Sequence, residues 1–449
     1  MSERKTALII GMARSGIASA KLLYKNGWHV IVNDIKPEID GLFDALADME
    51  YELALGRDPV SLYEGVDLIV ISPIIPMTRD FLQEAMRRGI EVISEIELGY
   101  RFSRGDFVCI TGTNGKTTCT ALAGEMFHAS GRKTFVLGNI GTAISEHAMD
   151  TQRGDVIVAE TAALQLEGNV DFHAKAAGVC NITPDHLDHF GTMEAYIAAK
   201  EKILDKQAAD DVAVLNWDDP IVRGFAARTS ARVLFFSRKE EVREGMFLQG
   251  DKLIWRMDGV DQVLLRASEI RIPGAHNLEN AMLCALLALS QGVKPETVRQ
   301  ALNDFPGVEH RIEHVRTWGG VEYINDSKGT NPASTIRAIE AMNRPTVLIL
   351  GGYDKKSEFG ELFAAMSGKI KACVVLGATK EKILAAAKAC ADAPPCYSAE
   401  DFADAVGKAR GLAQSGEVVL LSPACASWGM FEDFEQRGRV FKALVNGFV

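Results

Sequence analysis

The sequence predicts an α/β protein of three consecutive blocks, each built on a mostly parallel sheet. Two observations carry this. Short apolar runs such as "TALIIG", "DLIVIS", "DVIVAE", "TVLILGG" and "VVLLSP" are followed by turns and amphipathic helical stretches, the alternation that generates βαβ units. Two polar stretches, "RFSRGD" at 101–106 and "NDFPGVEH" at 303–310, read as linkers and divide the 449 residues into 1–103, 104–306 and 307–449, each of ordinary domain size.

Bulk composition narrows the function. Apolar residues make up 47% and charged residues 24%, as in a soluble globular protein with ample core. The net charge of −11 argues against nucleic acid or an anionic membrane as the main partner, so a small anionic ligand must be met by local cations. Eight cysteines are scattered, none closer than Cys390 and Cys396. No CxxC metal pair exists, and the distribution suits reduced thiols in the cytoplasm. The first residues lack a signal-peptide core, and "AMLCALLAL" is too short to span a bilayer.

The first block opens on "IIGMARSGIASA", with Gly11 and Gly16 but Ala13 between them, and Asp34 ends "HVIVND". This is an imperfect dinucleotide fingerprint. A nicotinamide site, a different diphosphate and a plain packing turn all fit it.

The second block opens on "VCITGTNGKTTCTALAGEMF", residues 108–127. A strand, a glycine turn and a helix start form a phosphate cradle, because amide N–H groups and the helix dipole both point at the anion. Gly112 and Gly115 enclose only Thr113 and Asn114, where the common P-loop places four residues between its first glycine and the Gly-Lys pair. Lys116 would place a cation on the β- and γ-phosphates, and the Thr117 hydroxyl would ligate Mg²⁺. Glu160, ending "DVIVAE", offers a hard oxygen at a strand terminus. "NITPDHLDHF" gathers Asp185, His186, Asp188 and His189. Zinc ligation, loop capping and catalysis all remain open for this cluster. The third block supplies "VEYINDSKGTNPAST", "GGYDKKSEF" and "SPACASWGMFEDF".

In order along the chain stand "TGTNGKTT", "AE" followed by "LQLE", "TPDHLDHF", "YIAAKEKIL", "GAHNLENAMLCALLA", "FPGVEHRIE", "INDSKGTNPAST" and "LLSPACASWGMFEDFEQRG". Together they resemble the Mur ligases, the ATP-dependent amide-forming enzymes of peptidoglycan synthesis, over residues 9 to 440. The last segment is similar to the branch that adds D-glutamate. The resemblance implies a Rossmann-like UDP-sugar domain, a central P-loop ATPase-type domain with a mostly parallel sheet, and a Rossmann-like C-terminal domain for the amino acid. It also implies that the short loop is the family's own form. The alanyl carboxylate of UDP-N-acetylmuramoyl-L-alanine would take the γ-phosphoryl group of ATP, and D-glutamate would attack the resulting acyl phosphate.

Carried over by motif, residues Gly112, Thr113, Asn114, Gly115, Lys116, Thr117 and Thr118 would hold ATP, with Asn277 near adenine and Arg311 and Asp326 reaching the nucleotide. Thr117 and Glu160 would hold one Mg²⁺ and His186 a second, with Lys200 carried as a carbamate that turns an ammonium into an anionic ligand. Lys116, His186 and Lys200 would be catalytic. Ser15, Asp34, Ser72 and Asn139 would line the UDP-sugar path; Thr330, Lys355, Ser427 and Phe434 would bind D-glutamate. The sequence departs from the family in "ETAALQLE", where Ala162, Ala163 and Leu164 replace a usual Ser-Ser-Phe, and in His189, where arginine is frequent. The resemblance further implies a cytoplasmic monomer serving cell-wall biogenesis, cell shape and division, without nucleic-acid partner or membrane insertion. Ligands drawn from separate domains imply closure, with the two polar stretches as hinges. A sibling ligase adding a diamino acid, a ligase adding glutamate to folate, and a nucleotide-driven binding switch are the competing readings.

Overall fold

The structure, a computed structural model, describes residues 4–354 and 357–448. The chain forms two compact units. One runs to Arg271 and includes Leu278–Phe305; the other comprises Ile272–Asn277 and the chain from Pro306 onward.

The first unit holds two sheets. A five-stranded sheet runs Glu52–Leu53, His29–Asn33, Thr6–Ile10, Leu68–Ile71, Glu91–Ser94 in spatial order, parallel throughout. Apart from the exposed edge pair Glu52–Leu53, its strands are rich in β-branched residues and mostly buried, as parallel strands covered by helices are. A nine-stranded sheet follows, with Asp106–Thr111 between Ala176–Val179 and Val156–Glu160. The meander expected around "GMFLQGDKLIWRM" is present as the antiparallel strands Gly245–Gln249, Lys252–Met257 and Val260–Arg266 at one edge.

The stretch expected to act as a first hinge is tied down. Arg101 and Phe102 close the helix Glu95–Phe102, Arg101 Nε donates to Glu97 at 2.8 Å, and Arg104 N donates to Thr151 Oγ1 at 2.8 Å. The same helix joins the two sheets. Its Glu97 carboxylate is fully buried and accepts from the amides of Val170 (3.0 Å), Asp171 (3.1 Å) and Phe172 (2.9 Å). Glu95 accepts from Ser145 N at 2.7 Å. Tyr100, Phe107 and Phe172 meet edge to face, with centroids 5.5–5.6 Å apart.

The second unit carries a six-stranded sheet in the order Glu313–Trp318, Val321–Asn325, Val418–Leu421, Thr346–Gly351, Ile370–Leu376, Cys396–Ser398. All pairs but the first are parallel, and a separate apolar core covers each face. Among the described residues no helix is long and apolar enough to cross a membrane.

Candidate functional site

Loop 112–115 joins strand Asp106–Thr111 to helix Lys116–Ala129, at the carboxyl edge of the sheet, where α/β folds bind ligands. Both glycines are dictated by backbone. Gly112 has φ +141°, and a Cβ there would lie 2.9 Å from Cys180 Cβ; Gly115 has φ +92°, and a Cβ would drive into Asn280 Oδ1. The neighbouring loop after strand Ala176–Val179 holds the short turn in place. Asn181 accepts from Asn114 N through Oδ1 and donates from Nδ2 to Asn114 O, both at 3.0 Å. Thr113 N donates to Asn181 O at 2.7 Å, and Thr113 Oγ1 lies 3.0 Å from the Tyr196 hydroxyl.

Two lysines converge on one carbonyl. Lys116 Nζ donates to Gly112 O and Thr113 O at 2.9 Å, and Lys200 Nζ donates to the same Gly112 O at 2.8 Å. Lys200 is 1% exposed and lies 4.7 Å from the Tyr196 ring centroid. Burial, and then the charge of Lys116, hold its pKa well below the usual lysine value, with Asp185 among the groups opposing. The neutral amine is thereby favoured.

Glu160 ends the adjacent strand and is 2% exposed. Its Oε1 accepts from Asn139 Nδ2 at 2.9 Å. Its Oε2 is buried and has no hydrogen-bond partner among the described residues. Such an orphan acceptor costs about 1–3 kcal/mol, and a hard cation supplies what it lacks. Thr117 and Thr118 are buried in the first turn of helix Lys116–Ala129, and Thr118 Oγ1 is likewise unpartnered among the described residues. The donor set of hydroxyl and carboxylate oxygens fits Mg²⁺. Asn139, expected on the sugar path, is the residue that donates to Glu160. His186 stands at φ 51° with its side chain 50% exposed and Nε2 3.7 Å from Asp185 Oδ2. His189 Nε2 lies 2.8 Å from Glu167 Oε2. The side chain of Asp188 lies outside the described residues.

In the first sheet, Gly11 and Asp34 line a cleft of about 540 Å³ with Arg57, Ile74 and Arg79. Asp34 closes the glycine turn, accepting from Met12 N at 2.8 Å and Lys36 N at 3.0 Å. Ser72 packs under Gly11, and Ser15 O accepts from Ser19 Oγ at 2.8 Å; neither is among the cleft-lining residues. The arginines are additions that isolated charges in a sequence do not announce.

In the second unit, Ser327 Oγ donates to Phe434 O at 2.8 Å, and Lys328 Nζ sits 5.2 Å from the Phe434 ring centroid. Thr330 N donates to Lys328 O at 2.9 Å. Ser427 is buried. Asn277 Nδ2 donates to Pro273 O at 2.6 Å. Lys355 lies outside the described residues. Arg311 Nε is buried without a hydrogen-bond partner among the described residues. Asp326 is buried and accepts from Ser422 Oγ at 2.6 Å and Ile312 N at 3.3 Å.

Burial pushes Asp326 up to about 6, opposed by Arg311 and the Ser422 hydroxyl. The folded state therefore keeps this proton where the unfolded chain, near 3.9, has lost it. Stability falls as pH rises through that window and levels off above the folded value. Asp326→Asn removes this contribution. In urea unfolding at pH 4.5 and 7.5, wild type should lose about 2 kcal/mol more than the variant over that interval. Equal losses would show that Asp326 titrates normally.

Comparison with known proteins places these features in a family. Residues 5–94 match the family model of the Mur ligase MurD-like N-terminal domain, 110–288 the Mur ligase middle domain, and 310–425 the Mur ligase glutamate ligase domain. The chain is 43% identical over 447 residues to the UDP-N-acetylmuramoylalanine–D-glutamate ligase of Alkaliphilus oremlandii, covering 99% of this chain and 98% of the relative. The chain belongs to the Mur ligase family. A second enzyme of that name, from Pelotomaculum thermopropionicum, is 44% identical over 98% of this Mur ligase and 97% of its own length. Among solved structures, the UDP-N-acetylmuramate-alanine ligase of Thermotoga maritima has a TM-score of 0.60 at 18% identity, covering 98% and 99% of the two chains, which supports the shared fold. Within this Mur ligase Lys116 and Lys200 are brought together at the Gly112 carbonyl.

Proposed function

We propose that this Mur ligase joins D-glutamate to UDP-N-acetylmuramoyl-L-alanine with ATP, in the cytoplasm and as a monomer, as a step of peptidoglycan synthesis. The full-length identity to two D-glutamate ligases carries this reading. The alanyl carboxylate is a poor acyl donor, because its leaving group would be oxide. Attack of a carboxylate oxygen on the γ-phosphorus forms an acyl phosphate and releases ADP. The amine of D-glutamate then attacks the carbonyl carbon and loses a proton, and inorganic phosphate leaves with the electron pair of the C–O bond.

The protein's share is to bring anions together. Loop amides 112–118 would cradle the phosphates, and Lys116 would exchange its carbonyl partners for phosphate oxygens, offsetting charge as it spreads in transfer. Thr117, Glu160, His186 and a carbamate on Lys200 would hold two Mg²⁺ ions, which when bound neutralise phosphate charge. Carbamate formation needs an uncharged amine, which adds to carbon dioxide and releases one proton; burial and the Lys116 charge shift Lys200 toward that form, which supports the reading. Gly11 and Asp34 would meet the UDP end; Thr330, Lys355, Ser427 and Phe434 would meet D-glutamate. Arg311, Asp326 and Asn277 would serve the nucleotide, with Asn139 orienting Glu160.

The test is phosphate release with UDP-N-acetylmuramoyl-L-alanine and a panel of D- and L-amino acids, with hydroxylamine added in a parallel reaction. Release dependent on D-glutamate, with a hydroxamate trapped, is expected. Release with another amino acid would indicate a sibling ligase, and release indifferent to every amino acid would indicate an ATPase switch.

A further inference from the structure

The carboxyl ends of three parallel strands in the second unit, Thr346–Gly351, Ile370–Leu376 and Val418–Leu421, carry loops that are woven together. Gly351 N donates to Pro423 O at 2.9 Å and Tyr353 N to Ala426 O at 2.9 Å, and Gly352 N donates to Thr379 Oγ1 at 3.1 Å. Above this backbone mesh, the rings of Tyr353 and Trp428 meet edge to face, centroids 5.4 Å apart at 64°. Both rings are half in solvent, at 45% and 52% exposure. A contacting pair of large aromatics left this open adds little to the core, so packing alone does not account for it. Its place does. Trp428 directly follows the buried Ser427, a D-glutamate ligand on the reading above, so the pair ties the loop of Ser427 to the loop that Tyr353 opens.

We propose that Tyr353 and Trp428 act as a latch that fixes the spacing of these two loops and so positions the ligands of the acceptor amino acid. This rests on the D-glutamate reading above. Neither ring is a catalytic residue; each acts through the loop it holds. Because the rings serve as one contact, losing either loses the whole latch. Because they are on the rim, losing them leaves the core intact.

The experiment is steady-state kinetics of the full-length enzyme carrying Trp428→Ala, Tyr353→Ala, both together, and Trp428→Phe, with all three substrates varied in turn. Each alanine variant should raise KM for D-glutamate about three- to ten-fold, the range an aromatic pair of this geometry supports. The double variant should rise no further, and KM for ATP and for the UDP-sugar should stay within about two-fold, since the rings hold only the acceptor loops. Trp428→Phe should restore most of the loss, and thermal melts should coincide with wild type. An unchanged D-glutamate KM, an equal rise in all three constants, or a double variant whose effect is the product of the singles would overturn the latch. Ser427→Ala separates this from the underlying reading. If it raises the D-glutamate KM while Trp428→Ala does not, the latch falls and the acceptor site stands. Wild-type turnover that ignores D-glutamate removes both.

Discussion

Alanine in place of Lys116 should lower kcat by about a thousand-fold or more while UDP-sugar binding stays nearly intact, the scale seen when a transition-state charge clamp is lost. Two effects add. On the reading above, the developing charge on the transferred phosphoryl group loses the lysine ammonium that would answer it. The loop also loses the ammonium that ties Gly112 O to Thr113 O, so its amides are less well aimed. Lys116→Arg would not restore activity, because a planar guanidinium cannot reproduce a point charge folded back over a four-residue turn. Quench-flow detection of acyl phosphate and calorimetric binding of the UDP-sugar distinguish the outcomes. Near-normal turnover in Lys116→Ala would remove this lysine from the mechanism, and lost sugar binding would show a disordered domain instead.

Lys200→Ala should be comparably inactive, with partial recovery in acetate or another short carboxylate. The buried amine is cut off from water and lies in the field of Lys116, which disfavours an ammonium although Gly112 O and the Tyr196 ring face it; on the reading above, a carbamate oxygen there would answer Lys116 instead. A small carboxylate diffusing into the space left by truncation would supply that oxygen, whereas a purely structural lysine would not be replaced by one. Lys200→Met, which keeps the volume, should fold like wild type and remain inactive. Full activity of Lys200→Ala without carboxylate would contradict the carbamate.

The alternation of strand and helix was readable because parallel strands covered on both faces leave near-continuous apolar runs. The loop at 112 was readable because a glycine turn between strand and helix has few other uses. What supports the loop was not. Asn181, Tyr196 and Asn280 approach it from positions 67 or more residues away, and a lone asparagine or tyrosine carries no periodic signal. Lys200 illustrates the limit best: on a helix its spacing suggests a solvated side chain, only resemblance pointed to a role, and its burial is what the structure adds. The segment 101–106 misled for the converse reason. Its charges suggest a loose linker, yet Arg104 N reaches Thr151, 47 residues downstream, and Glu97 in the helix before it finds its amide partners 73 to 75 residues downstream, beyond any local pattern.

That carboxylate has a larger consequence. Sliding the five-stranded sheet against the nine-stranded one would strip a buried charge of three amide donors together, costing several kcal/mol. The distance from the Gly11 turn to the Gly112 turn is therefore built into the protein like a ruler's length. If the two turns hold the two ends of the reaction as proposed, a donor too short or too long would be anchored at one end and misplaced at the other.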